Sequence, residues 1–169
     1  MDIDGDGDLD LLVNGIAAGT RLFLNDGRGR FTERRDSGLS KSGSAMSMAF
    51  ADIDGDGDLD LYCTHYNEML YLADPTVQLT MGTQGGRVVV TKVNGQPANE
   101  APWAGRFEVL PNGDVRELAE ADSLYRNEGD GRFTAIQSVP GTFRDEAGRE
   151  IPPFRELGLG VMFRDINGD

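Results

Sequence analysis

Asp2-Ile3-Asp4-Gly5-Asp6-Gly7-Asp8-Leu9-Asp10 recurs without change as Asp52-Ile53-Asp54-Gly55-Asp56-Gly57-Asp58-Leu59-Asp60, and Asp165-Ile166-Asn167-Gly168-Asp169 begins a third copy. Alternating carboxylates on a glycine-hinged loop offer a hard cation oxygen ligands at roughly 2.3–2.6 Å, the donor set that calcium takes. The candidate ligands are therefore Asp2, Asp4, Asp6, Asp8 and Asp10, then Asp52, Asp54, Asp56, Asp58 and Asp60, then Asp165, Asn167 and Asp169, with Ca2+ as the cofactor. In the second loop the side chains of Asp52, Asp54, Asp56 and Asp60 are expected to bind, and Asp58 mainly through its carbonyl. Gly55 and Gly57 permit the bend because they carry no Cβ. Five carboxylates within nine residues repel one another unless a cation neutralises them, so a merely solvated acidic turn is a poor account of a duplicate this complete.

The flanks decide which kind of calcium loop this is. An EF-hand places a bidentate Glu at the twelfth position, where this chain has Val13 and Cys63, and it is flanked by amphipathic helices. Here Leu-Asp-Leu-Leu-Val or Leu-Asp-Leu-Tyr-Cys follows each loop, and Met46-Ser47-Met48-Ala49-Phe50-Ala51 precedes the second, alternating large and small side chains. A period of two predicts strands.

A second repeat fixes the unit. Leu22-Phe23-Leu24-Asn25-Asp26-Gly27-Arg28-Gly29-Arg30-Phe31-Thr32 matches Leu124-Tyr125-Arg126-Asn127-Glu128-Gly129-Asp130-Gly131-Arg132-Phe133-Thr134. Each is a short apolar run, a glycine-rich turn tolerant of positive φ and a second strand, which is a hairpin. Leu159, Val161 and Phe163 stand where Met46, Met48 and Phe50 stand, so the strand before the loop is repeated too. One unit reads strand, calcium loop, strand, hairpin pair, the size of one propeller blade. The fold class is all-β: a partial β-propeller of about two four-stranded blades plus the start of a third, with a small β insertion.

These motifs resemble the FG-GAP or VCBS-type repeat, known from the calcium-binding blades of integrin alpha-chain propellers. The stretch Gly158-Leu159-Gly160-Val161-Met162-Phe163-Arg164-Asp165-Ile166-Asn167-Gly168-Asp169 is similar to the cartilage acidic protein branch. The resemblance covers roughly residues 1–72 and 123–169. It implies a closed ring of blades outside the cell, secreted, periplasmic or on the cell surface, with calcium as a structural ion.

Spacing shows where the array is interrupted. Asp2 to Asp52 is 50 residues but Asp52 to Asp165 is 113; of the extra 63, 52 fall before the second hairpin and eleven around Phe143 to Pro153. The expected organisation is a first repeat at 1–51, a second at 52–164 interrupted by a β-rich insertion at about 73–122, and the start of a third at 165–169. Met69-Leu70-Tyr71-Leu72 is an alternative third strand for the second blade. Inside the insertion, Arg87–Val93 ends at Asn94-Gly95, and Phe107–Leu110 meets Asp114–Leu118 across Pro111-Asn112-Gly113, giving a small β subdomain. Inserted segments of this length are commonly functional.

Twelve of the 29 carboxylates lie in the three loops, and the remaining 17 nearly match 16 Lys plus Arg, so nearly the whole net charge of −13 belongs to the metal sites. Without basic clustering a nucleic-acid partner is not expected, and no run approaches a membrane span. The lone Cys63 excludes an internal disulfide and reads as a buried strand cysteine. No signal peptide is visible, and the chain reads as an excerpt of a longer protein that needs further blades or oligomerisation to close a ring and cover an unpaired strand edge.

The function expected is a calcium-binding propeller module serving as an extracellular binding or adhesion scaffold, its partner a protein or polysaccharide. The alternative is a fragment of a calcium-dependent propeller polysaccharide lyase or hydrolase. Against catalysis, the acids are committed to the loops, where a bound ion absorbs their charge. There is no nucleophile elbow, phosphate-binding glycine loop or zinc spacing. His65, the single histidine, sits on a strand, where packing is the commoner role. Trp103 is a candidate either for stacking on a sugar or for the core of the insertion.

Overall fold

Each acidic loop feeds the chain into a strand, and the alternation that follows it decides what the strand buries. The computed structural model describes residues 1–169 apart from Met69, Ser138, Pro153 and Asp169. After the first loop come β1 (Leu11–Gly15), β2 (Gly19–Asn25) and β3 (Phe31–Glu33), an antiparallel meander in the order β1-β2-β3. The second loop is entered from β4 (Ser44–Ala51) and leaves into β5 (Asp60–Tyr66). With β11 (Ser123–Asn127) and β12 (Phe133–Ala135) these form a four-stranded antiparallel sheet in the order β4-β5-β11-β12. The registers agree between the repeats: Leu12 faces Leu22 as Tyr62 faces Leu124, and Asn25 faces Phe31 as Asn127 faces Phe133. Met1 exchanges main-chain bonds with Asp10, the position that Ala51 takes opposite Asp60.

Two compact units result, Met1–Glu68 with Ala121–Asp169, and Met69–Glu120. In the first, β5 is buried along both faces. Leu61 and Cys63 project into a core with Ile3, Leu22, Leu39, Ala45, Tyr125 and Phe133. Tyr62 and Thr64, one residue out of phase, project from the other face. Full burial of a side chain such as Leu61 contributes about 1.5–3 kcal/mol, so this seam between the two repeat sheets holds the unit together.

The second unit contains β6 (Leu79–Gln84), β7 (Arg87–Val93) and β8 (Gln96–Pro97) in one antiparallel sheet, and β9 (Phe107–Val109) paired with β10 (Val115–Glu117). The β6–β7 turn uses Gly85 and Gly86, both at positive φ, as a tight hairpin requires. Tyr71–Ala73 is a single 3₁₀ turn, so Tyr71 and Leu72 of the alternative strand do not form one, and Met69 lies outside the described residues; the third strand of the second repeat sheet is β11. Trp103 is half-buried, and its main-chain N–H donates to the Glu100 carbonyl.

Residues 158–163, expected as a strand, have no ladder partner among the described residues. Their apolar alternation survives, but Leu159 and Met162 are exposed because no neighbouring strand lies alongside them. Within the eleven-residue excess, residues 144–150 form a turn closed by the Arg144–Glu150 bridge.

Candidate metal centres

The first aspartate of each loop shapes it. Asp2 accepts bonds from Gly5 N (2.9 Å) and Gly7 N (3.0 Å), and Asp52 accepts them from Gly55 N (2.7 Å) and Gly57 N (3.0 Å). All four glycines have positive φ, so the carboxylate can gather N–H groups from a bend that a side chain would strain. Asp6 and Asp56 add one bond each, from Asp8 N and Asp58 N, both at 2.9 Å. In the third loop Asp165 already accepts Gly168 N at 2.6 Å. Asn167 is exposed within this turn, and Asp169 lies outside the described residues.

The ninth aspartate works differently. Asp10 accepts Ile3 N (2.8 Å) and Asn25 N (2.9 Å), and Asp60 accepts Ile53 N (2.9 Å) and Asn127 N (2.7 Å), so both are buried staples between a loop and its hairpin. Each such oxygen keeps a second lone pair that a cation can use. Asn25 and Asn127 complete the staple, their amides donating to Leu9 O (3.1 Å) and Leu59 O (3.3 Å). Sequence reasoning missed both as site residues, although their fixed place at the head of each Asn-x-Gly-x-Gly turn was a readable signal.

Asp8 and Asp58 lie over the hairpin turns. A Cβ on Gly27 would stand 2.5 Å from Asp8 Oδ2, and one on Gly129 would stand 3.2 Å from Asp58 Oδ2. What gathers is Asp2, Asp4 and Asp10 in one loop and Asp52, Asp54 and Asp56 in the other, each set offering oxygens within 4.8 Å of one another. Two oxygens sharing a calcium ion at roughly 2.3–2.6 Å stand at most about 5.2 Å apart, so both sets fit the ion. The crowding has an electrostatic signature. Burial, then the Asp10 charge, pushes the Asp4 carboxyl above its ordinary value, and desolvation, then the charges of Asp56 and Asp60, does the same to Asp54. A divalent cation would relieve this repulsion.

Away from the loops, β5 and β11 carry a polar cluster. Asp122 accepts the Tyr62 hydroxyl (3.0 Å) and His65 N (2.8 Å), and burial raises its pKa against the lowering effect of these two bonds. Burial and the Asp122 charge also push the Tyr62 phenol up. His65 is buried on β5 and its Nδ1 has no partner among the described residues. Cys63 is free and fully buried, its thiol pushed up to about 11 by burial.

No match was found among curated proteins or among solved structures. The family model of the FG-GAP-like repeat matches residues 2–63, which take in the first loop, the first sheet and the second loop through to β5. That stretch joins both complete loops to the strands they feed, and residues 2–63 are similar to an FG-GAP-like repeat.

Proposed function

We propose that this chain is a calcium-binding β-propeller module that serves as an extracellular binding or adhesion scaffold. The observation that carries the reading is that two identical loops fold into the same backbone and each gathers three carboxylates at a spacing fit for one ion. Calcium is then structural: it neutralises the loop acids, while Asp10 and Asp60 transmit the loop geometry to the hairpins. FG-GAP-like repeats form propeller blades, and the all-β sheets support a place in such a ring, completed by further blades or other copies. No described helix is long and apolar enough to cross a membrane. The partner is a protein or a polysaccharide, and not nucleic acid, given a net charge of −13.

We assign the module no catalytic step of its own. The loop acids hold main-chain N–H groups, and the main chain of His65 is tied to Asp122. Calorimetric titration of the chelator-treated chain with calcium tests the metal reading; two sites, each removed by its own Asp4→Ala or Asp54→Ala variant, are expected. Absence of calcium heat up to several millimolar would end it. The alternative of a polysaccharide lyase predicts unsaturated products, read by ultraviolet absorbance, from acidic polysaccharides.

A further inference from the structure

The two calcium loops share one sequence but not one neighbourhood. The residue before the staple asparagine is Leu24 in the first repeat and Arg126 in the second. Leu24 pairs with Thr32 and Arg126 with Thr134, so both take the same place and the same face of their hairpins. Leu24 is covered: a Cβ on Gly131, in the second hairpin turn, would stand 3.5 Å from one of its methyls, and its side chain packs against the core. Arg126 keeps its side chain 43 % exposed, so a charge is tolerated there.

Arg126 is held beside the second loop. It precedes Asn127, whose N–H donates to Asp60, and follows Tyr125, which pairs with Leu61, so one further step of the ladder sets it level with Asp60. Its Nε and Nη2 both donate to Glu128 Oε1, at 3.0 and 2.7 Å, and Glu128, two residues on, shares its face. This latch leaves the guanidinium within electrostatic reach of the loop acids. Burial and the charges of Asp56 and Asp60 push the Asp54 carboxyl up, and the Arg126 charge opposes them; Glu128, then Asp54 and Asp56, hold Arg126 charged. The charges acting on Asp4 are those of Asp10, Asp6 and Asp2, carboxylates of its own loop.

A doubly charged ion entering the second loop therefore meets a positive group where the first repeat has Leu24, and that group draws on the same Asp54 and Asp56 carboxylates. The first loop is also better held. Asn127 Nδ2 bonds Ile3 O at 3.2 Å and Asp10 is buried, whereas Asp52, Asp54 and Asp56 are all exposed. Ligands already fixed in place lose less freedom on binding.

We propose that Arg126, latched by Glu128, lowers the calcium affinity of the second loop, so that the two identical loops fill in sequence, the first at lower calcium than the second. The inference rests on the calcium reading above and adds a graded response to it: between the two affinities the chain carries one ion, and above both it carries two.

Calorimetric titration of single-site variants reads each loop alone, Asp54→Ala for the first and Asp4→Ala for the second. The second loop is expected to bind calcium about three- to fivefold more weakly. In the Asp4→Ala background, Arg126→Gln should tighten it by about threefold, and Arg126→Lys, which keeps the charge, should not. In the Asp54→Ala background, Arg28→Leu, which takes a charge from the first hairpin turn, should change the first loop by less than about twofold. The unmodified chain supplies a check that no folding failure can spoil: the gap in its two-site isotherm should narrow as salt is raised toward about 0.5 M, because the Debye length falls to a few ångströms. Calcium heat at neither loop would overturn the calcium reading and this one with it. Equal affinities of the two loops, a second loop unmoved by Arg126→Gln, the same gain from Arg126→Lys, an equal gain at the first loop from Arg28→Leu, or a gap indifferent to salt would each overturn the role of Arg126 alone.

Discussion

The two complete loops are identical over nine residues and form the same main-chain bonds, yet Ile3 is 1 % exposed and Ile53 is 40 % exposed. Ile3 is sealed by the second repeat: its carbonyl accepts Asn127 Nδ2 at 3.2 Å, and its side chain joins the core with Leu61, Tyr125 and Phe133. Ile53 has no such cover among the described residues. Local sequence therefore sets the conformation of a loop, whereas burial is conferred by the next repeat.

The sharpest way to break this comparison is to remove each ninth aspartate. Asp60 is fully buried, and its loss strands the N–H groups of Ile53 and Asn127; Asp60→Ala should cost about 3–5 kcal/mol in urea unfolding. Asp10→Ala should cost less, since Asp10 is less deeply buried. Equal costs would show that neighbouring repeats do not modulate the staple.

Calcium removal is next in size. At a hundredfold excess over Kd each filled site adds about 2.7 kcal/mol, so EDTA should lower Tm and calcium restore it. Asp4→Ala and Asp54→Ala should each abolish about half of that increment. An identical Tm in chelator and in millimolar calcium would refute a structural ion.

A smaller effect sits at Asp122, where the first repeat has Thr20. Its folded pKa is raised, so its contribution is favourable below the ordinary value of 3.8 and is lost as pH rises through the higher folded value. Wild type should therefore lose stability relative to Asp122→Asn between pH 3.8 and neutrality, in urea titrations at matched calcium. A constant difference across that range would contradict the raised pKa.

The smallest effect should come from deleting 69–120. Glu68 and Ala121 both belong to the first unit, in which Cys63 pairs with Ser123, so a short glycine-containing linker between them should shift Tm by no more than about 5 °C and leave both calcium sites intact. Loss of calcium binding in the deletion would show that the insertion supports the repeats.

Much of this architecture was readable because it is written twice. Duplicate loops, duplicate hairpins and the alternation at 46–51 locate every strand of the two repeat sheets, and Asn94-Gly95 marks a turn at the end of β7. The strand β6, Leu79-Thr80-Met81-Gly82-Thr83-Gln84, escaped notice because its alternation is interrupted at Gly82 and its register shifts between Thr80 and Met81. The expected strand at 158–163 failed for the opposite reason: pattern alone supplies no partner for its backbone groups. Reading Asp10 and Asp60 as ion ligands left out their main-chain bonds, which reach hairpins 15 and 67 residues away. The contacts of Tyr62 with Phe143 and Phe163 were invisible because no short window contains the three rings.

Asn127 gives the molecule a kinetic order. Its amide reaches Ile3 O across 124 residues, so the contact that seals the first loop must await almost the whole chain. A closure of that span is slow because its entropy is lost before any long-range contact rewards it. The intervening unit at 69–120 has local hairpins that can form first and shorten the effective span. Late sealing should make Asn127→Ala accelerate unfolding while leaving the refolding rate nearly unchanged, and a matching drop in the refolding rate would place this contact in the folding nucleus instead.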